Sequence, residues 1–169
     1  GQEGVDAIAA ATPLARMAAG ESTPTLLQMF LGVKSSCAMG EVSAAALLLG
    51  GVYLVIRKVI KPITPLVFVG TVFLLSGALG MDPVAQILSG GLMLGAIFMA
   101  TDYATTPATG WGKAVFGLGC GIITVLIRKY GSYPEGVSFA ILLMNILTPQ
   151  IDKAFLQKPL GGKKVAKNA

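Results

Sequence analysis

A series of long apolar runs constrains this sequence more than any other feature. Between residues 39 and 152 these runs follow one another, separated by short segments that contain charged residues, Pro or Gly. A membrane-spanning helix needs about 20 predominantly apolar residues. We therefore predict five crossings, at residues 39–60, 63–81, 84–100, 113–127 and 135–151.

The composition agrees with a chain that lies mostly in lipid. Hydrophobic residues make up 54% of the sequence and charged residues only 12%, whereas a soluble domain has about 25% charged residues. The absence of histidine excludes haem ligation and zinc binding through that side chain. Cys37 and Cys120 are far apart and form no CxxC motif, so we interpret them as small hydrophobes. The sequence predicts an all-α integral membrane protein.

The fourth predicted crossing is short. Only 14 uncharged residues follow Lys113 before Arg128, and they span about 21 Å, less than the roughly 30 Å of the hydrocarbon core. The preceding residues 103–112 are rich in Thr, Pro and Gly. Irregular backbone at membrane depth must be buried in protein or line a cavity, so this segment is either a surface loop or part of a site.

The distribution of lysine and arginine predicts the orientation. The side that holds the C-terminus collects nine of these residues, namely Arg57, Lys58, Lys61, Lys113, Lys153, Lys158, Lys163, Lys164 and Lys167. The other side has four, namely Arg16, Lys34, Arg128 and Lys129. Cytoplasmic loops carry the excess of positive charge. We expect residues 1–38 to be an extracytoplasmic leader, residues 39–152 the five-helix domain, and residues 153–169 a basic cytoplasmic tail.

Glycine pairs predict close helix packing. Gly91 and Gly95 form one GxxxG motif, and Gly117 and Gly121 form another. Small residues at this spacing let two helix backbones approach each other in lipid. This pattern indicates burial between helices and predicts no chemistry.

Asp102 is the acidic residue with the best claim to a function. It stands at the end of the third predicted crossing, and Thr105 and Thr106 follow it. An acid at the membrane boundary is a candidate for ion or proton transfer, and threonine hydroxyls beside it can help to hold Na⁺. The alternative is structural, because Asp102 or a following threonine can cap a helix. We predict no metal site and no nucleic-acid partner; the terminal lysines instead indicate contact with anionic membrane lipid.

Thr12 is the residue of interest in the leader. Pro13 favours an extended backbone at Thr12, which presents its side chain to another enzyme. With no histidine to serve as a base, the Thr12 hydroxyl is a poor nucleophile. From the residues alone it is interpreted as a turn residue.

Five motifs indicate a resemblance to a known family. They are Asp6 to Leu14, Gly40 to Ala44, Leu88 to Ala96, Phe98 to Tyr103, and Tyr130 to Asn145. With these motifs the sequence resembles the C-terminal half of the RnfD and NqrB family, membrane subunits of the Rnf electron-transport complex and of the Na⁺-translocating NADH:quinone oxidoreductase. The segments Thr12-Pro13-Leu14 and Met99-Ala100-Thr101-Asp102-Tyr103 favour RnfD.

The resemblance implies a covalent cofactor. In the family motif Asp-x-x-Ser/Thr-Gly-Ala-Thr, a separate flavin transferase attaches FMN to the last threonine through a phosphoester bond. Asp6, Ala11 and Thr12 match this motif and Pro13 follows it, whereas Ala9 and Ala10 replace the Ser-Gly pair. The resemblance thus implies FMN on Thr12, and a second, non-covalent riboflavin is known in the family.

The resemblance also implies an architecture and a function. The family fold consists of two inverted five-helix halves, similar to urea transporters, and the five crossings correspond to one half. The chain begins with Gly1, and we expect an N-terminal half to precede it and the chain not to function alone. The implied role is that of a redox subunit in the inner membrane, working with the other Rnf subunits, RnfA, RnfB, RnfC, RnfE and RnfG. That complex couples electron transfer from ferredoxin to NAD⁺ with Na⁺ or H⁺ export. The alternatives are an NqrB-like subunit, a flavin-free channel or transporter half, and a structural scaffold.

Overall fold

The structure is a computed structural model that describes residues 25–31, 43–89, 91–131 and 136–155. All regular elements in these ranges are helical. The leader residues Asp6, Ala11, Thr12 and Pro13, and also Cys37, lie outside them. In chain order the helices are α1 (Leu26–Leu31), α2 (Ala44–Ile56), α3 (Ile63–Ala78), α4 (Pro83–Leu88), α5 (Leu92–Leu94), α6 (Gly110–Tyr130) and α7 (Val137–Ala154), and a π-helical segment, π1 (Gly95–Met99), directly continues α5.

The fourth predicted crossing is longer than the sequence indicated. Helix α6 has 21 residues and begins at Gly110, three residues before Lys113. It begins there because the Thr109 hydroxyl accepts a hydrogen bond from the Gly112 N–H at 3.0 Å and caps the helix. At its other end the helix includes Arg128 and Lys129. Its length is therefore about 31 Å, enough for the hydrocarbon core, and the prediction of a short crossing was wrong.

Of the described helices, α6 alone combines the length and the hydropathy expected of a membrane span. Helices α2 and α3 are apolar but shorter, with 13 and 16 residues. Helix α7 has 18 residues and carries Pro149 in its interior.

The third predicted crossing is not one continuous helix. Helix α4 ends at Leu88, Ser89 is extended, and Gly91 adopts a left-handed conformation with φ 64° before α5 begins. Glycine is the residue that best tolerates this backbone, so Gly91 serves a turn. Gly95, the other member of the predicted pair, lies close to Val137 of α7, as predicted for close packing. The chain then widens into π1, where the Ala100 N–H donates to the Gly95 carbonyl five residues earlier. Helix breaks and π segments of this kind often occur at functional sites.

The core lies where α3, α6, α7 and π1 meet. Its buried members are Phe68, Val72, Leu92, Ala96, Ala100, Phe116, Cys120, Val125, Val137, Ile141 and Met144. Cys120 is buried as a small hydrophobe, as predicted. Gly117 faces Thr64 and Phe68 of α3, and Gly121 faces Phe68 and Thr71. The residues of α3 that are contacted have higher numbers at Gly121 than at Gly117, so α3 and α6 run parallel to each other. The close packing predicted for Gly117 and Gly121 is confirmed.

Gly121→Ala and Gly70→Ala are expected to change stability in opposite directions. A Cβ atom at residue 121 would lie 2.6 Å from the Cβ atom of Thr71 and 3.2 Å from the Phe68 carbonyl oxygen, whereas one at residue 70 would meet no atom within 4 Å. We expect Gly121→Ala to lower the free energy of unfolding by about 1–3 kcal/mol. Gly70→Ala should raise it by about 0.5–1 kcal/mol, because alanine favours a helix. Thermal unfolding in detergent, followed by circular dichroism, measures both; stabilisation by both variants would contradict the close packing.

Candidate functional site

The described helices form a bundle with two distinct ends. One end, here called the lysine end, contains Lys58 after α2, Lys61 before α3 and Lys113 in the first turns of α6. The opposite end, here called the α1 end, contains α1, which contacts α2 and α4. The Ser43 hydroxyl at the start of α2 donates to the Phe30 carbonyl of α1 at 3.5 Å. The described part of the leader, α1, therefore lies at the end opposite to the lysines.

The structure brings the three predicted ion-linked residues together in one turn at the lysine end. The Thr105 hydroxyl donates to the Asp102 carboxylate at 3.1 Å. The Thr106 hydroxyl and its N–H donate to the Asp102 carbonyl oxygen. Asp102 is exposed, while both threonines are partly buried. The turn thus presents a carboxylate and a hydroxyl to the outside of the bundle. The alternative prediction, that a threonine after Asp102 caps a helix, holds for Thr109, which caps α6.

A second acid, Asp152 of α7, fixes this loop to the bundle. Its carboxylate accepts a hydrogen bond from the Ala108 N–H at 3.0 Å, and the neighbouring Pro107 is fully buried. Residues 103–109 therefore form an anchored loop at the end of the bundle. No pattern in the sequence indicates this contact, because 44 residues separate Asp152 from Ala108.

A pocket rich in lysine lies beside the Asp102 turn. Its volume is about 100 Å³. Its lining side chains, mostly cationic or hydroxyl-bearing, are Lys58, Val59, Ile60, Lys61, Thr64, Thr101, Tyr103 and Lys113. The sequence analysis used these lysines only to predict orientation and missed their convergence. The only sign of this convergence in the sequence was that all three lysines were assigned to the side of the membrane that holds the C-terminus.

Arg128 holds the broken helix from the α1 end. One guanidinium nitrogen, Nη1, donates to the Gln86 carbonyl at 2.6 Å and to its side-chain oxygen at 3.0 Å. The other, Nη2, donates to the Ser89 carbonyl at 3.2 Å. The last carbonyls of a helix lack partners within the helix, and the planar guanidinium can bind several of them at once. Arg128, which the sequence analysis used only to predict orientation, therefore joins the end of α6 to the broken helix.

The described residues contain no group of three or more Cys, Asp or Glu side chains that could hold a metal ion. The two acids of the lysine end, Asp102 and Asp152, each serve a separate hydrogen bond of the loop.

The outer faces of the helices define the class of the protein. Leu49, Ile56, Leu66 and Leu74 each expose between 69% and 73% of their surface. Exposed apolar side chains on successive helices are expected where lipid, rather than water, is the solvent. The fold is that of a helical membrane protein.

Comparison with known proteins identifies the family. The family model for NQR2, RnfD and RnfE matches residues 2–161. The chain is 45% identical to the D subunit of the Na⁺-translocating ferredoxin:NAD⁺ oxidoreductase complex of Acetobacterium woodii, over 97% of this chain and 52% of that protein. It is 44% identical to the D subunit of the proton-translocating ferredoxin:NAD⁺ oxidoreductase complex of Clostridium ljungdahlii, over 89% of this chain and 50% of that protein. It is 39% identical to the D subunit of the ion-translocating oxidoreductase complex of Stutzerimonas stutzeri, over 80% of this chain and 40% of that protein.

The chain therefore belongs to the NQR2, RnfD, RnfE family, and the resemblance to RnfD is confirmed. It spans about half the length of the first two of these curated relatives. Those two relatives are almost equally identical to it, at 45% and 44%, yet one is named for Na⁺ and the other for protons. Overall identity thus favours neither ion.

Proposed function

We propose that this chain is part of a membrane subunit that transfers electrons in an Rnf-type complex and carries FMN on Thr12. The complex would couple electron transfer between ferredoxin and NAD⁺ to the translocation of Na⁺ or H⁺. The observation that carries the proposal is the 45% identity, over 97% of the chain, to the D subunit of such a complex. The other Rnf subunits, RnfA, RnfB, RnfC, RnfE and RnfG, are the proposed partners, with the N-terminal half of the subunit completing an inverted 5+5 fold.

The leader would hold the flavin. The Thr12 hydroxyl is the group that a phosphoester bond requires. Asp6 and Ala11 match the motif that a flavin transferase would recognise, and Pro13 follows it directly. FMN, when bound, supplies the redox chemistry, while the protein supplies position and local charge. The described part of the leader is α1, which lies at the end opposite the lysine end. This position supports the proposal that the attached flavin and the Asp102 turn would be at different ends of the bundle. A non-covalent riboflavin nearer the Asp102 turn would be a second relay.

The Asp102 turn would take part in ion translocation at the cytoplasmic end. The lysine end faces the cytoplasm in this proposal, following the positive-inside rule, and the leader lies outside. Asp102, Thr105 and Thr106 together offer carboxylate, hydroxyl and carbonyl oxygens, which are suitable ligands for a hard cation. The carboxylate alone is sufficient to take up a proton.

Asp102→Asn is expected to alter the dependence of electron transfer on Na⁺ or on pH. The change removes the negative charge, while the amide oxygen can still accept the Thr105 hydrogen bond. A loss of roughly tenfold or more in ion-dependent turnover is expected if this charge binds the ion. Asp82→Asn is the matched control, because Asp82 caps α4 away from the lysine end and asparagine caps equally well. An unchanged response to both Na⁺ and pH would remove Asp102 from the ion path.

Flavin fluorescence that survives denaturation tests the proposed function. The subunit is purified from membranes, denatured in SDS, separated by electrophoresis and viewed under near-ultraviolet light. A fluorescent band indicates a covalent flavin, whereas a colourless one favours a flavin-free transporter half or a scaffold. Ferredoxin-driven NAD⁺ reduction by the complex then distinguishes the Rnf-type role from the quinone reduction expected of an NqrB-like subunit.

A further inference from the structure

An apolar groove adjoins the lysine pocket. It has a volume of about 330 Å³ and lies between α2, α3 and π1. Its lining includes Val52, Val55, Leu66, Val69 and Ile97, all of which are apolar. Ile60 lines both the groove and the lysine pocket, so the two cavities lie next to each other at this residue.

The lysine pocket needs a negative charge to balance it. Three lysines line it, together with the hydroxyl-bearing side chains of Thr64, Thr101 and Tyr103. Among the described residues, no acidic side chain contributes to this lining. Ammonium and hydroxyl groups are donors that can surround the oxygens of one phosphate.

The backbone at Lys58 supports a functional role for this lysine. Helices α2 and α3 end in the same pattern of hydrogen bonds: Lys58 and Val59 donate to Val55 and Leu54, and Gly80 and Met81 donate to Gly77 and Ser76. The residue that closes such an end is left-handed and is usually glycine. Helix α3 has Gly80 there, with φ 76°, but α2 has Lys58, with φ 56°. A lysine therefore stands where glycine would be less strained, and its side chain lines the pocket.

We propose that these two cavities bind one anionic phospholipid, with its phosphate on the three lysines and an acyl chain in the groove. The charge of the pocket selects an anionic headgroup, and the apolar groove that adjoins it at Ile60 selects a hydrocarbon chain. Basic pockets between membrane helices on the cytoplasmic side are suited to such headgroups. This site involves neither Thr12 nor a flavin; it rests on the proposed function only for the cytoplasmic position of the lysine end.

Native mass spectrometry of the full chain, purified in detergent with the subunits that accompany it, tests the site. Dioleoylphosphatidylglycerol and dioleoylphosphatidylcholine are added in equal amounts, and the retained lipid is counted. We expect phosphatidylglycerol to be preferred, and Lys113→Gln to reduce its retention about fivefold. Val52→Trp, which fills the groove, should reduce it as well.

Two matched controls separate this site from general effects of charge and bulk. Lys153→Gln makes the same charge change at an exposed position of α7. Leu49→Trp adds the same indole ring, with a slightly smaller gain in volume, on the exposed face of α2. Neither residue lines either cavity. Both should retain phosphatidylglycerol as the unmodified chain does. Circular dichroism confirms that each variant is folded, and Lys113→Arg, which keeps the charge, should restore retention.

Three results would overturn the proposal. The first is equal retention of the two lipids, or equal loss in Lys113→Gln and Lys153→Gln. The second is displacement of phosphatidylglycerol by inorganic phosphate with no effect of Val52→Trp, which would indicate a site for free phosphate. The third is release of an accompanying subunit by Val52→Trp with lipid retention unchanged, which would make the groove a protein interface.

Lys58→Gly gives an independent readout. Because glycine relieves the left-handed strain, we expect the Tm of the lipid-free chain to rise by roughly 2–4 °C. Retention of phosphatidylglycerol should fall about fivefold in the same variant. A lower Tm, or unchanged retention, would contradict the functional interpretation of Lys58.

Discussion

Thr12→Ala is expected to leave the subunit without its covalent flavin and to reduce ferredoxin-driven NAD⁺ reduction to the background level. Alanine has no hydroxyl, so no phosphoester bond can form at this position. The rest of the subunit should be unaffected, since the described helices begin well after the leader motif. The measurements are in-gel flavin fluorescence and the rate of NAD⁺ reduction in membranes that contain the whole complex.

The leader itself provides the control for this experiment. Thr23-Pro24 is a second threonine–proline pair in the same segment, and Thr23→Ala should leave both fluorescence and electron transfer unchanged. Thr12→Ser keeps a hydroxyl and should retain part or all of the flavin. If Thr12→Ala transfers electrons as the unmodified protein does, the subunit serves as a scaffold and not as a redox relay.

Arg128→Met is expected to destabilise the chain by roughly 2–5 kcal/mol. The change deprives the Gln86 and Ser89 carbonyls of their guanidinium donors. Ser89 is buried, and each buried acceptor left unsatisfied costs about 1–3 kcal/mol. The break between α4 and α5 should therefore loosen first, and a lower midpoint of thermal unfolding in detergent would record the effect.

Two further variants show whether the loss of stability comes from the lost hydrogen bonds or from the lost charge. Lys129→Met removes a neighbouring cation whose Nζ donates to the Leu79 carbonyl at 3.2 Å in an exposed hydrogen bond, and it should cost no more than about 1 kcal/mol. Arg128→Lys keeps the charge but loses the planar fork, so it should recover only part of the stability. Equal effects of Arg128→Met and Lys129→Met would show that charge alone matters at this end of α6.

The sequence predicted the helical class and the positions of most helices, because apolar runs report burial and lipid contact directly. It did not predict the break in the third crossing. The run from Val84 to Ala100 is uncharged and largely apolar, so hydropathy gives no sign that the helix stops. The break depends on local backbone, namely the extended Ser89 and the left-handed Gly91, and on Arg128, about 40 residues away in the sequence.

In the candidate sites, too, contacts between residues close in sequence were predicted, whereas contacts between distant residues were not. The turn that joins Asp102 to Thr105 and Thr106 is local, and the sequence predicted these residues as one group. The loop anchor between Ala108 and Asp152, and the convergence of Lys58, Lys61 and Lys113, arise from helix packing. A count of charges on each side of the membrane includes these lysines but cannot show that they line one pocket.

The central claim is that Thr12 carries FMN, and mass spectrometry of the peptide that contains Thr12 tests it most directly. The subunit is purified from membranes in which the flavin transferase is present, and is then digested and fragmented. We predict that this peptide is heavier by one FMN in phosphoester linkage and that fragmentation places the added mass on Thr12. A Thr12 peptide with the mass of its amino acids alone would contradict the account.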